Sequence, residues 1–220
     1  MRHTVRLLCC LPLLLAACRG QAPAEAPTPA ETAPPLRPFA PLVAQQVIVA
    51  PTHSLSEIDP TGWMKQVPRS RELLRALDSA IEKELGERGV TSQWIFPAAL
   101  VRAAKASPSY GVDPYSLAAG PLKGDVPING SVGSPLLMQL RTMVALQENA
   151  RAVLLPVELR FEKGSRTGTG VAVLHLALVD GRLGELRWIG DVRSDPASSF
   201  SRDSLLASVA AHVADLIAAR

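Results

Sequence analysis

Between Ala150 and Val192 the sequence writes three strands in succession, which puts a sheet at the centre of whatever this chain folds into. Val153, Leu155, Val157, Leu159 and Phe161 alternate with Leu154, Pro156, Glu158 and Arg160, the period-two pattern of a strand apolar on one face and mixed on the other. Gly170 to Val179 follows as a continuous apolar run, closed by Asp180-Gly181, a dipeptide that favours a tight hairpin. Leu186, Trp188 and Val192 then predict one face of a return strand.

Helices and shorter strands surround this meander. Gln45 to Ala50 reads as a strand stopped by Pro51, and residues 52–69, with Pro60, Gly62 and Pro68, read as loop. Ser70 is an N-cap candidate for a helix with Leu73, Leu77, Ile81 and Leu85 down one face and Gly89 as its stop. Thr91 to Phe96 suits a second strand, and Pro97 opens a short helix through Ala106. Ser134-Pro135 predicts another helix opening, with Leu136, Leu140, Met143 and Val144 on one face and an end near Asn149. In the last helix Ser201 is the cap, Phe200 and Leu205 form a hydrophobic staple, and Leu205, Val209, Val213 and Leu216 face inward. Helices must cover a mixed sheet of about five strands, so the class is α/β (α+β), with a C-terminal three-strand meander followed by a helix. No internal repeat is visible.

The N-terminus reads as an export signal. Arg2, His3 and Arg6 precede an apolar run from Leu7 to Ala17, interrupted only by Pro12. A bilayer-spanning helix needs about 20 apolar residues, so this run is a secretory signal core. It ends in Leu15-Ala16-Ala17-Cys18, which resembles the lipobox of bacterial lipoproteins. The resemblance implies cleavage before Cys18 and acylation of that cysteine, removing residues 1–17. Three acyl chains at about 0.8 kcal/mol per buried methylene would hold the mature protein on a membrane. In such lipoproteins an aspartate after the cysteine retains the protein in the inner membrane. Arg19 and Gly20 stand there instead, so the resemblance implies the periplasmic face of the outer membrane.

Residues 18–42 then form the lipidated cysteine and a tether. From Gln21 to Leu42, seven prolines and six alanines fill 13 of 22 positions. Proline lacks an N–H donor and restricts its neighbour, so an extended spacer of up to roughly 70 Å is expected. Residues 43–220 remain for one domain. Cys9 and Cys10 leave with the signal peptide, so that domain has no cysteine and must be held by its core alone. Removing Arg2 and Arg6 also leaves 21 basic against 20 acidic residues, which is no footprint for nucleic acid.

A search for chemistry returns little. HExxH, a phosphate loop, GxGxxG after a strand, CxxC and SxxK are all missing from the sequence, and Ser131 lacks the spacing of a nucleophile elbow. His53, His175 and His212 are not at zinc-ligand spacing, and His175 and His212 read as partly buried packing residues. Glu158, Glu162, Glu185 and Asp191 lie near one another in the meander, either as an acid and base pair or as solvated strand faces. Gly164, Gly168 and Gly170 read as a hairpin turn. No catalytic residue, metal, cofactor or small-molecule substrate is therefore expected beyond the lipid on Cys18. Trp63, Tyr110 and Tyr115 sit in predicted loops, as interface anchors or as covers for the core edge; Tyr110 and Tyr115 are the candidate partner-binding residues. Residues 107–133, with five glycines and four prolines, form a connection long enough to be a working surface or a disordered insertion.

From Ala150 to Trp188 the chain resembles the end of the domain shared by the TolB N-terminal region, the curli-secretion lipoprotein and the lipoprotein activators of penicillin-binding proteins. Leu178, Asp180, Gly184, Leu186 and Trp188 stand at the positions of that domain's hairpin. These are structural positions, and the layout of lipobox, tether and domain is most similar to the synthase activators. The resemblance implies a non-enzymatic lipoprotein whose domain binds another cell-envelope protein, with a peptidoglycan synthase as a candidate. The alternative is an oligomerising component of an envelope assembly or secretion system.

Overall fold

A computed structural model describes residues 37–90, 93–109, 111–124, 126–147 and 150–218. In chain order its elements are β1 (Val47–Val49), β2 (Ser54–Leu55), α1 (Ser70–Glu87), β3 (Trp94–Ile95), α2 (Pro97–Ala106), α3 (Leu136–Ala145), β4 (Ala152–Lys163), β5 (Gly170–Asp180), β6 (Leu186–Arg193) and α4 (Arg202–Asp215). The expected α+β class and order are present, with β2 added inside the segment read as loop. One mixed sheet runs β3-β1-β4-β5-β6, with β2 also on β4. β1 is parallel to both β3 and β4, and the meander β4-β5-β6 is antiparallel.

Both faces of the sheet are covered. On one side α1 and α4 pack Leu77, Ile81, Val209 and Val213 against Leu154, Leu159 and Leu174. On the other, α2 and α3 pack Leu100, Leu140 and Met143 against Ile48, Val153 and Leu155. The glycine-rich connection belongs to this second layer: its Leu117, Leu122 and Val132 are buried there. Its far end is stitched to the start of β6, through Asn129 N to Leu186 O at 2.9 Å and Leu186 N to Gly130 O at 2.8 Å.

Two bulges change which face a residue takes. The β4-β5 register shifts between Pro156 and Glu158. Val153, Leu155 and Val157 therefore face α2 and α3, while Leu159 and Phe161 face α1 and α4, so the five residues do not share one face. A second shift, opposite Leu178 and Val179, separates Leu186 from Trp188 and Val192 in the same way. One extra residue inverts every side chain beyond it, because the strand period is two.

The hairpin between β5 and β6 is wider than Asp180-Gly181 suggests. Asp180 N donates to Glu185 O and Gly184 N to Asp180 O, at 2.9 and 2.7 Å. Gly184, at φ +78°, takes the left-handed position. The Asp180 carboxylate accepts the Arg182 and Leu183 N–H groups through Oδ1 and the Arg151 guanidinium through Oδ2. Leu178 pairs with Trp188 across the strands, so the five residues carrying the family resemblance form this hairpin and its packing.

Helix ends differ in detail from the expected caps. Ser70 is the first residue of α1 and Arg69 holds the cap position, while Ser201 stands at the cap of α4 without a side-chain bond. Pro135 precedes α3 after a cis Ser134–Pro135 bond, and α3 ends at Ala145, short of Asn149. Leu216 is half-buried; Ile217 takes the inward place. At the N-terminal side, Phe39 is fully buried against Trp188, with ring centroids 4.9 Å apart, and its N–H donates to Leu216 O. Phe39–Leu42 therefore pack as part of the domain, although their proline-rich surroundings assign them to the tether.

Candidate functional site

β1 lies between β3 and β4, and the two crossovers that lead to these neighbours run over opposite faces of the sheet. α1 carries the chain across one face to β3, and α2 and α3 return it across the other face to β4. In an open sheet this reversal leaves a crevice beyond the carboxyl ends of the strands, the usual place for a ligand. A cleft of about 260 Å³ occupies that position. Thr52 and His53 line it from the segment after β1, Arg71 and Arg75 from the first turns of α1, and Asp113 and Tyr115 from the connection after α2.

Beneath the cleft is Asp78, which is 8% exposed. Its Oδ1 accepts both the N–H and the hydroxyl of Thr52, at 2.8 and 2.6 Å, while Oδ2 is buried without a hydrogen-bond partner among the described residues. Burial pushes the carboxyl up to about 6, against the Thr52 hydrogen bonds and the nearby Arg75 charge, which pull it down. Burial also pushes the His53 imidazole down, and Lys123 adds to this against Glu158.

Tyr115 is held by a turn that the sequence anticipates. Asp113 caps the 3-10 turn Pro114–Ser116, accepting from Tyr115 N at 3.0 Å and the Ser116 hydroxyl at 2.9 Å. Tyr115 is 40% exposed, and the Arg75 guanidinium lies over its ring, 5.5 Å from the centroid. Burial raises the phenol above its ordinary value, with the charges of Asp78 and Asp113 adding to the shift and Arg75 opposing it. Of the two candidate partner-binding residues, Tyr115 is thus at the cleft; Tyr110 lies outside the described residues, as does Cys18.

The other sequence candidates are placed elsewhere. Trp63 is buried and packs edge-on to Phe161 at 5.7 Å, covering the core. His212 Nδ1 meets Arg193 O at 2.6 Å. His175 has an oxygen at each ring nitrogen: Asp191 Oδ1 at 2.8 Å and Leu122 O at 3.0 Å. The acidic residues of the meander are joined to cations and not to one another. Lys123 holds Glu158, Arg160 and Arg193 hold Glu162, Arg187 holds Glu185, and Arg160 holds Asp191. Burial acts to raise the Asp191 carboxyl, but hydrogen bonds from Arg160 and His175 outweigh it and hold the group low. Among the described residues no cluster of three or more His, Cys, Asp or Glu is placed to hold a metal ion. Gly164 and Gly168 turn the β4-β5 hairpin as expected, through Gly164 N to Thr169 O at 2.8 Å and a φ of +77° at Gly168.

Asp78, Arg71 and Arg75 are absent from the sequence-derived candidates. Asp78 leaves a signal nonetheless: it falls in the apolar series Leu74, Asp78, Ile81, Leu85, so an ionisable group sits on the buried stripe of α1. The arginines leave none, since cations on an exposed helix face are ordinary.

Neither a protein-family model nor a curated protein matches this chain. Among solved structures it is similar to the PelC dodecamer from Paraburkholderia phytofirmans, at 17% identity over 81% of this chain and 91% of that one, with a TM-score of 0.38. It is also similar to lipoprotein GNA1162 from Neisseria meningitidis, at 18% identity over 78% of this chain and 96% of that one, with a TM-score of 0.36.

Proposed function

We propose that this chain is a non-enzymatic lipoprotein, anchored through Cys18 at the periplasmic face of the bacterial outer membrane, whose tethered domain docks onto another envelope protein. The sequence Leu15-Ala16-Ala17-Cys18 after a basic and apolar leader carries the reading. The proline-rich spacer supports it, because a docking domain on a lipid anchor needs reach. Further support comes from the acidic side chains of the meander, each committed to a structural ion pair. A peptidoglycan synthase is the first partner to test, on the layout that resembles the synthase activators.

Radiolabelled palmitate and envelope fractionation test the anchor. Cys18→Ser is expected to abolish labelling and release the protein from the outer-membrane fraction; a labelled or membrane-bound variant would overturn it. Crosslinked envelopes then test the docking role. Recovery of a penicillin-binding protein with the tagged wild type supports the synthase partner. Recovery of copies of the chain alone, with a ring-sized species on sizing, overturns it in favour of the assembly component.

A further inference from the structure

The cleft beside Tyr115 brings together two arginines with no ion-pair partner among the described residues, a part-exposed aromatic ring and the apolar side chain of Leu74. Arg71 and Arg75 stand one helical turn apart on α1, both exposed, and neither belongs to a salt bridge among the described residues. Arg69, one residue before the helix, is by contrast paired with Glu72 at 2.6 Å. Of the two carboxylates nearby, Asp113 has each oxygen hydrogen-bonded within its own turn, and Asp78 is sealed under Thr52. The arginines, with Arg75 already lying over the Tyr115 ring, are thus the cations that the cleft offers to a ligand. Leu74 and the ring of Tyr115 complete the wall with apolar surface.

Size and composition narrow the occupant. At about 260 Å³ the cleft is below the range of roughly 300–1,000 Å³ typical for sites that enclose a whole small molecule, and suits side chains presented by a larger partner. Arginine and tyrosine are the residue types concentrated at the centres of protein interfaces. A planar guanidinium matches a carboxylate in two parallel hydrogen bonds.

We propose that this cleft is the docking pocket for an acidic peptide segment of the partner, with a Glu or Asp carboxylate between Arg71 and Arg75 and its stem against Leu74 and the Tyr115 ring. The proposal deepens the docking role above and rests on it. The hydrogen bonds of Asp113 within its own turn fix where the Tyr115 ring stands.

The test uses the full lipidated protein in detergent and a fluorescein-labelled peptide of alternating Glu and Ala, followed by fluorescence anisotropy. The Glu peptide is expected to bind about tenfold or more tightly than its Gln counterpart, and Arg71→Gln and Arg75→Gln are each expected to weaken it about tenfold. Arg141→Gln, on α3 across the sheet, should leave binding unchanged. Circular dichroism of each variant establishes that the fold is retained. Equal binding of the Gln peptide, or full binding by the Arg71→Gln, Arg75→Gln double variant, would overturn the proposal. So would displacement of the peptide by inorganic phosphate or by phosphatidylglycerol in mixed micelles at lower concentration than by unlabelled Glu peptide, which would assign the arginines to a phosphate group. Failure of palmitate labelling with intact, arginine-dependent peptide binding would remove the lipoprotein reading and leave the pocket standing.

Discussion

Replacing Asp78 by Asn alters the pH dependence of stability in one direction and by a calculable amount. The carboxyl rises from an ordinary 3.8 to about 6 on folding. The native state therefore holds a proton that the unfolded chain has released, and this contribution is fully present below pH 4 and lost as pH rises through about 6. At 1.36 kcal/mol per unit the whole contribution is about 3 kcal/mol, of which about 2 kcal/mol is lost between pH 4 and pH 7.5, because at pH 4 the unfolded carboxyl has already begun to ionise. His53 titrates in the same window with the opposite sign. Its imidazole is pushed below 6.5, so its contribution grows as pH rises. Asp78 is not among the groups that shift His53, so subtracting the variant's profile from the wild type's cancels that term. The carboxylates of Asp59, Glu162, Asp180 and Asp191, all held below ordinary values of 3.8 to 4.5, begin to lose their contribution at the acid end of this range, and since Asp78 is not among the groups that shift them the same subtraction removes them. In Asp78→Asn the amide oxygen can accept both Thr52 bonds, while the amide nitrogen replaces the unpartnered Oδ2 and adds a penalty of about 1–3 kcal/mol at every pH. Urea unfolding followed by tryptophan fluorescence from pH 4 to 7.5 should show the wild type losing about 2 kcal/mol relative to the variant as pH rises. A difference flat to within about 0.5 kcal/mol would mean that water reaches Asp78 and that its burial is not what the packing implies.

Two structural substitutions test the packing around the sheet. A Cβ at Gly170 would stand 2.6 Å from the Trp63 ring, so Gly170→Ala is expected to cost about 1–3 kcal/mol and to shift tryptophan emission; unchanged emission and urea midpoint would contradict the contact. Asp180→Ala removes the acceptor of two turn N–H groups and of Arg151, and should cost about 2–3 kcal/mol in urea unfolding with the largest rise in hydrogen exchange at residues 182–186, whereas a loss under about 0.5 kcal/mol would refute its role as the lock of the hairpin.

What the sequence disclosed follows from which physical signals are periodic. Leu73, Leu77, Ile81 and Leu85 repeat with the helix, and Gly170 to Val179 is too apolar to lie at a surface, so element order and class were legible without coordinates. Bulges are not periodic. The extra residue at Val157 is one more valine in an alternating run, and only the partner strand reveals that Leu159 and Phe161 have crossed to the other layer. The same crossing separates Leu186 from Trp188. It matters to the site as well. The β4 bulge lies where β1 gives way to β2, and Thr52 and His53 occupy that break: Ala50 N still donates to Leu154 O, and His53 N to Pro156 O. Two residues are thereby left between sheet and helix, Thr52 over Asp78 and His53 at the cleft. Tyr115 was legible as an aromatic outside any periodic face, with Asp113-Pro114 announcing its turn. Its partners were not, because Arg71 and Arg75 become a pair directed at one cleft only when α1 is laid beside a loop some forty residues further on. The local rule that failed beneath the cleft, an aspartate on the apolar stripe of α1, is an exception at which the fold gives up some stability.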